Sequence, residues 1–576
     1  MKKIIVTVLL FNAFYFFAFP QNKEAVKVTD MLKIKAISGI TLNTDGSKAV
    51  FTLTAIEPDG ESKSDYKYVN HIYIVPTDGS SAPKELTVRE GSSQAAWSPD
   101  GKKLAFVRVA EGKPQIFLLS FDGGEPIQLT HYKYGAGTPK WSPDGKEILF
   151  SSNINLKDLL KDSLLNPTHA VPKWPAEKAG LDNEETFKQI TAKANPDGTI
   201  DEIRAYLDND VTDKKAKVVT KLNFQDEMGV NPDVTFNYFL KQKAEPEAQP
   251  VPVTHGFYRY FNADFTPDGK QLIITADIDS VLNPDRSLES QIYIADADGN
   301  NIRLLLGEKN KSYNGPAVSP SGKWLAFQYG PTSFISVPAL ALMPLKGSAK
   351  DIIEIPFDRA KGNFVWSNDE KYLYFSAQSN GGVPAYRVNI QTKKIEQLSD
   401  YNGGIGSFDL KNNHFVFTKT EVADPFELYS ADAAMQNVKA ISTFNSEWIK
   451  NKQLSFPEKH EFKNDKGETI EYWVMKPLNF DPSKKYPLLL DIHGGPSAMW
   501  GPGESSMWHE FQFFCSKGYG VVYCNPRGSG GYGLDFLRAN INDWGKGPTS
   551  DVLTALDKTV AEGWADTSKL VVSGGS

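Results

Sequence analysis

The sequence predicts a seven-bladed β-propeller followed by a domain of alternating strands and helices. Three observations carry this. A turn motif built on Trp-Ser-Pro-Asp-Gly-Lys recurs, in strong and weak copies, before about residue 420. The motif then stops, and from about Trp448 short apolar runs alternate with helical patterns. The last residues, Leu570-Val571-Val572-Ser573-Gly574-Gly575-Ser576, read as an apolar strand running into two glycines and a serine.

The clearest copies of the motif are Trp97-Ser98-Pro99-Asp100-Gly101-Lys102, Trp141-Ser142-Pro143-Asp144-Gly145-Lys146 and Phe265-Thr266-Pro267-Asp268-Gly269-Lys270. Weaker ones start at Asn43, Val318, Trp366 and Phe408. Pro-Asp-Gly favours a hairpin turn, and the residues after it, such as Leu104-Ala105-Phe106-Val107, read as an alternating strand with one apolar face. A second hairpin usually follows, as at 115–119, Asp122-Gly123-Gly124 and 127–130. Two hairpins make one four-stranded blade. Turn markers at 45, 100, 144, 268, 321, 369 and 412 are spaced by 55, 44, 124, 53, 48 and 43 residues. All intervals but one lie near the roughly 40–50 residues of a propeller blade, and seven units suit a closed ring. An open all-β array is the alternative.

The long interval is assigned to an insertion at about 155–254, rich in Lys, Glu and Asp, with helix-like stretches at 183–194 and 200–207 and a loop at 246–252. It reads as a solvated decoration, with a lid or contact arm as the functional alternative. Glu184 and Glu185 form an acidic pair there, read as a solvated helix face against a possible amine-binding role.

At the N-terminus Lys2 and Lys3 precede an apolar run at 4–17, the pattern of a secretory signal, with an uncleaved anchor as the rival. The expected plan is therefore a signal peptide at 1–20, a propeller at 21–445, and the first part of a second domain at 446–576, in a secreted or periplasmic protein. Losing the two lysines takes the formal charge from -7 to -9. No basic block stands out, which argues against a nucleic-acid partner. Cys515 and Cys524 read as buried free thiols, and neither has metal-ligand spacing. No cofactor and no metal are assigned, and the oligomeric state is left open.

In the second domain, strands are expected at 471–476, 487–492, 520–523 and 570–573, with helices at 511–516 and 552–562, the latter capped by Ser550-Asp551. Such alternation gives a parallel sheet with its site at the strand C-terminal ends. The final strand is expected to present an apolar edge. Three strand ends carry chemistry: His493-Gly494-Gly495-Pro496, Asn525-Pro526-Arg527-Gly528-Ser529-Gly530-Gly531-Tyr532-Gly533, and Gly574-Gly575-Ser576. The last is the first half of Gly-x-Ser-x-Gly, the nucleophile elbow of α/β-hydrolases, in which a sharp turn exposes the serine hydroxyl. In that fold a glycine-rich loop in the place of 493–496 gives a backbone N–H to the oxyanion hole, where preorganised donors are worth roughly 3–4 kcal/mol of barrier. The second domain is thus expected to be an α/β-hydrolase domain, incomplete at Ser576.

These three segments, with Asp491-Ile492 ahead of the first, Val572-Ser573 ahead of the last, and Asp543-Trp544-Gly545, resemble the prolyl oligopeptidase family of serine peptidases over nearly the whole mature length. Within it they resemble the acylaminoacyl-peptidase and bacterial dipeptidyl-peptidase branch. Strict proline-specific members carry a tyrosine at the place of His493, which argues against proline preference. The resemblance implies that Ser576 is the nucleophile of an acyl-enzyme mechanism and that the Gly495 N–H helps hold the oxyanion. It implies short peptide substrates, exopeptidase-like cleavage, and a triad aspartate and histidine C-terminal to Ser576. None of the eight histidines, 71, 131, 169, 255, 414, 460, 493 and 509, stands in that order. A polypeptide ending at Ser576 is therefore expected to be inactive, since a serine without a base is a poor nucleophile. His493 is placed on the oxyanion side of its loop, in contact or loop-shaping roles. His460 and His509 read as structural, and Arg527 as pinning its own loop rather than pairing with a substrate carboxylate. The alternatives are an esterase on the same fold and a non-catalytic periplasmic propeller that binds a ligand.

Overall fold

A computed structural model describes residues 23–60, 65–88, 91–172, 191–210, 234–278, 288–333, 335–362, 364–503 and 507–575. The signal segment, Glu184, Glu185, most of the 183–194 stretch and Ser576 lie outside the described residues.

The repeated turn saturates its own polar groups. Ser98 Oγ donates to Asp100 Oδ1 at 2.6 Å and accepts from the Lys103 N–H at 2.8 Å, while the Lys102 N–H donates to the same Asp100 oxygen at 3.1 Å. The same bonding recurs at Ser142 and Asp144, Thr266 and Asp268, and Ser367 and Asp369. A hydroxyl two residues before the aspartate is what this turn needs. The degenerate seventh copy turns on Asn412 and Asn413 at φ 45° and 67°, a two-residue hairpin whose left-handed backbone asparagine tolerates.

These turns join the first two strands of seven four-stranded antiparallel sheets, spanning 36–85, 93–128, 137–252, 259–306, 311–355, 365–397 and 404–440. The motif tryptophan has its own task. Trp97 Nε1 donates to Thr41 O at 3.1 Å, Trp141 Nε1 to Ala96 O at 3.0 Å, and Trp366 Nε1 to Ala317 O at 3.0 Å. Each indole ties the first strand of its blade to that of the blade before.

The second strands correct the one-faced expectation. Leu104 to Val107 are all buried. Leu104 and Phe106 pack on Val50 and Ile72 of the first blade, and Ala105 and Val107 on Ile148 and Phe150 of the third. Blades stack face to face, so a middle strand has no solvent side, and the continuous apolar run is the signature of that burial. Each sheet takes four consecutive strands, so the ring closes through side chains. The Ile40 N–H donates to Ser407 Oγ at 3.1 Å and the Leu42 N–H to Asp409 Oδ2 at 2.8 Å, above a cluster that joins Ile37, Leu42 and Phe51 to Val416 and Leu428.

The insertion leaves the third blade between strands Glu147–Asn155 and Thr235–Lys243, which pair along their full length. Residues 235–243 and 251–252, expected within the insertion, complete the blade instead. Phe236, Tyr238, Phe239 and Leu240 are buried, a run masked in sequence by Asn237 within it and by Lys241, Gln242 and Lys243 after it. The insertion contains helix Ile200–Asp210, whereas 191–194 is not helical.

The second domain holds strands β1 (Glu458–Lys463), β2 (Thr469–Met475), β3 (Tyr486–Ile492), β4 (Gly520–Asn525) and β5 (Ala565–Gly574), with helices α1 (Trp508–Ser516), α2 (Leu534–Arg538) and α3 (Lys546–Ala561). Sheet order is β1-β2-β4-β3-β5. β4, β3 and β5 are parallel, but β1 and β2 run antiparallel, so the sheet is mixed rather than all-parallel. A tight turn at 464–468 joins β1 to β2, and such a turn connects only antiparallel neighbours. α1 packs on Trp473, Leu489, Val521 and Tyr523, while α3 covers the opposite face over Val474, Leu488, Leu490 and Val522. α3 begins at Lys546, not at Val552. Its early Gly547 N–H donates to the Asp543 carboxylate, and Asp551, expected as a cap, serves another partner described below. Both cysteines are buried and free. Leu570, Val571 and Val572 of β5 are exposed at the sheet edge.

The second domain sits on one rim of the ring. The Asn380 N–H donates to Gly531 O at 3.2 Å, the Leu534 N–H to Asp358 Oδ1 at 2.9 Å, Arg538 Nε to Ile335 O at 3.2 Å, and Trp508 Nε1 to Val422 O at 2.7 Å. The propeller partners lie in second-to-third-strand loops of blades five to seven or in the link between blades five and six. The insertion occupies the equivalent loop of blade three, so it springs from that same rim. Gly501 meets Gly381 across the seam, at a distance where any Cβ would overlap the Gly381 carbonyl. The N-terminal segment spans both domains: Lys452 pairs with Asp30 at 2.8 Å and Glu24 at 3.2 Å, His509 Nε2 lies 2.9 Å from Lys27 O, and Ser516 Oγ donates to Val26 O at 2.7 Å.

Candidate active site

The parallel register brings the three predicted loops together. Asp491 pairs with Tyr523 on β4, and Ile492 with Gly574 on β5. The segments after residues 492, 525 and 574 therefore leave side by side from the C-terminal edge of adjacent strands, where α/β sheets bind ligands. At Gly574 a Cβ would lie 2.6 Å from Ile492 O, so the strand end comes this close only as glycine. Ser576, two residues on, lies outside the described residues. Gly495 stands at φ 111°, a backbone region that side chains disfavour. Among the described residues the Gly494 and Gly495 N–H groups meet no acceptor, which leaves them as donors at the site.

His493 is buried and turned into its own loop. Its Nε2 lies 3.1 Å from Ser529 Oγ and its Nδ1 3.1 Å from Gly494 O, with the ring edge-on to Trp500. Burial pushes its pKa below the ordinary histidine value, so the ring is neutral at physiological pH. With both nitrogens engaged, the ring shapes the loop. His509 stacks on Phe513 and His460 on Tyr472, both away from this edge.

Arg527 is also buried. Its Nε donates to Asp551 Oδ2 at 2.8 Å and its Nη2 to Asp551 Oδ1 at 2.7 Å; its backbone N–H reaches Asp551 Oδ2 at 3.0 Å, and Nη2 also pairs with Asp465. These carboxylates hold the guanidinium pKa further above its usual value. The side chain pins its loop to α3 and to the β1–β2 turn, as expected from sequence.

Two residues at the site stand in the quoted motifs but were given no role of their own in sequence. Asn525, at the end of β4, is fully buried and bonds through its side-chain amide to both backbone groups of Trp500. Its signal was a polar residue closing the apolar run 520–524. Asp491 on β3 is 2% exposed, and among the described residues neither carboxylate oxygen has a hydrogen-bond partner. Burial first, then the nearby Glu510 carboxylate, raises its pKa to about 6. Its signal was a lone acid after Leu488-Leu489-Leu490.

Comparison with known proteins agrees with this architecture. The model of the prolyl oligopeptidase family matches residues 505–576. An uncharacterized peptidase of Bacillus subtilis, YuxL, is 25% identical over 96% of this chain and 79% of its own length. Dipeptidyl-peptidase 5 of Porphyromonas endodontalis is 26% identical over 95% of this chain and 73% of its own. Among solved structures, the uncomplexed acylaminoacyl peptidase of Pyrococcus horikoshii aligns over 95% of this chain and 74% of its own with a TM-score of 0.68 at 19% identity, a likeness of fold.

Proposed function

Because the chain belongs to the prolyl oligopeptidase family, we propose that its product is a serine peptidase that attacks short peptides with Ser576 and gathers the oxyanion on the Gly495 N–H. The observation that carries this reading is the register Ile492 to Gly574, which sets the acceptor-free amides of 494–495 beside the strand that leads into Ser576. Ser576 Oγ attacks the peptide carbonyl while a histidine C-terminal to it takes the proton. The carbonyl oxygen becomes the oxyanion, the amine leaves with that proton, and water hydrolyses the acyl-enzyme. Substrates are peptides, and cleavage is of the dipeptidyl or acylaminoacyl kind. The ring rim that carries the hydrolase domain supports a preference for short chains. Export by residues 1–20 would place the enzyme outside the cytoplasm.

The test is turnover by the full-length gene product of three probes: a dipeptidyl amide, an N-acetylaminoacyl amide and a simple acyl ester. One of the amides should be cleaved, and Ser576→Ala should lower that rate by several powers of ten. Ester-only turnover would replace the reading with an esterase. Loss of all three, together with no covalent labelling of Ser576 by a fluorophosphonate, would leave a ligand-binding propeller.

A further inference from the structure

We propose that Asn525 is a positioning residue that holds the oxyanion loop in place for catalysis, an inference that rests on the serine-peptidase reading. Asn525 Oδ1 accepts from the Trp500 N–H at 2.9 Å, and Nδ2 donates to the Trp500 carbonyl at 2.7 Å. The side chain thus makes the pair of bonds that a neighbouring strand would make. The second Nδ2 proton goes to Tyr532 Oη at 2.9 Å, and the Tyr532 hydroxyl donates to Glu471 Oε2 at 2.7 Å. Glu471 is held in turn by Lys459 at 2.5 Å. This chain of donors fixes which end of the amide is oxygen, because a flipped amide would oppose donor to donor and acceptor to acceptor at Trp500.

Trp500 closes the loop that opens at His493. Two more ties along it come from the same neighbour: the Gly530 N–H donates to Ser497 O at 3.0 Å, and Ser529 Oγ meets His493 Nε2; a third comes from the propeller, where the Gly381 N–H donates to Met499 Sδ at 3.3 Å. Gly495 lies between these anchors. Its N–H must point at the position the oxyanion will occupy, not at the ground-state carbonyl. A loss of anchoring therefore falls on the transition state more than on substrate binding. Aspartate at 525 would keep the size but turn lone pairs toward the Trp500 carbonyl. Leucine would fill the space with neither donor nor acceptor.

The test uses the full-length gene product with Asn525→Asp, Asn525→Leu and the milder Tyr532→Phe, which removes one link and keeps the ring. On the amide that wild type cleaves, both Asn525 variants should lose about 10–100-fold in kcat with KM within about threefold, and Tyr532→Phe should lose less. Hydrogen exchange at amides 497–500 should speed up in all three while blades one to four stay at wild-type rates. Faster exchange with wild-type kcat would overturn the positioning role, and unchanged exchange in Asn525→Asp would overturn the clamp itself. If the Asn525 variants fail to fold, Tyr532→Phe decides, and wild-type kcat with wild-type loop exchange in it overturns the proposal. A wild-type protein that cleaves no amide would instead sink the peptidase reading and the catalytic consequence with it, while the exchange data still judge the clamp.

Discussion

Asp491→Asn should make the protein more stable at neutral pH and less so in mild acid. The carboxyl is buried on β3 with no hydrogen-bond partner among the described residues, and its pKa stands near 6 instead of the ordinary 3.8. A group whose charged form is disfavoured in the folded state costs stability as pH rises from the unfolded value through the folded one. Linkage puts that cost at about 1 kcal/mol at pH 4.5 and about 3 kcal/mol at pH 7.5, each relative to the fully protonated group. Asparagine keeps the shape and cannot ionise. The difference between variant and wild type should therefore grow by about 2 kcal/mol between those two pH values, whatever constant penalty the amide itself brings. The measurement is the urea midpoint of the transition that unfolds the hydrolase domain, followed by tryptophan fluorescence at both pH values. A variant-minus-wild-type difference that does not change with pH would show that Asp491 ionises as an ordinary carboxyl, and the reasoning from burial would be wrong.

Arg527→Ala should destabilise the hydrolase domain by about 3–5 kcal/mol, because it strands the buried Asp551 carboxylate. Adding Asp551→Asn should recover part of that loss, and a double variant as weak as the sum of the singles would refute the coupling. Gly501→Ala should cost about 1–3 kcal/mol by forcing Gly381 away across the seam. In calorimetry the propeller and hydrolase transitions should move apart, and an unaltered trace would show that the seam has slack.

The ring was legible because its turn is chemical: a hydroxyl, an aspartate and a glycine at fixed offsets bond to one another in copy after copy. The boundary of the insertion was less so, because strand Thr235–Lys243 sets its buried Phe236, Tyr238, Phe239 and Leu240 beside Lys241, Gln242 and Lys243. The start of α3 was misplaced because Asp551 looks like a cap to local rules, while its carboxylate is spent on an arginine 24 residues earlier. The motif loops could be read as glycine and charge. The amide of Asn525 and the isolation of Asp491 could not, since both depend on which strand lies beside which. Only the β4-β3-β5 order supplies that.

The way the circle of blades is shut bears on how the molecule is made. Its two ends are clasped by side chains, and the segment before the first blade finds its partners far down the chain. Val26 waits for Ser516, and Asp30 for Lys452, more than 400 residues later. During synthesis the propeller can assemble its plates in turn, but the segment before the first blade cannot reach its partners until α1 has emerged and docked. The second domain is thus what fastens the segment that leads into the first blade.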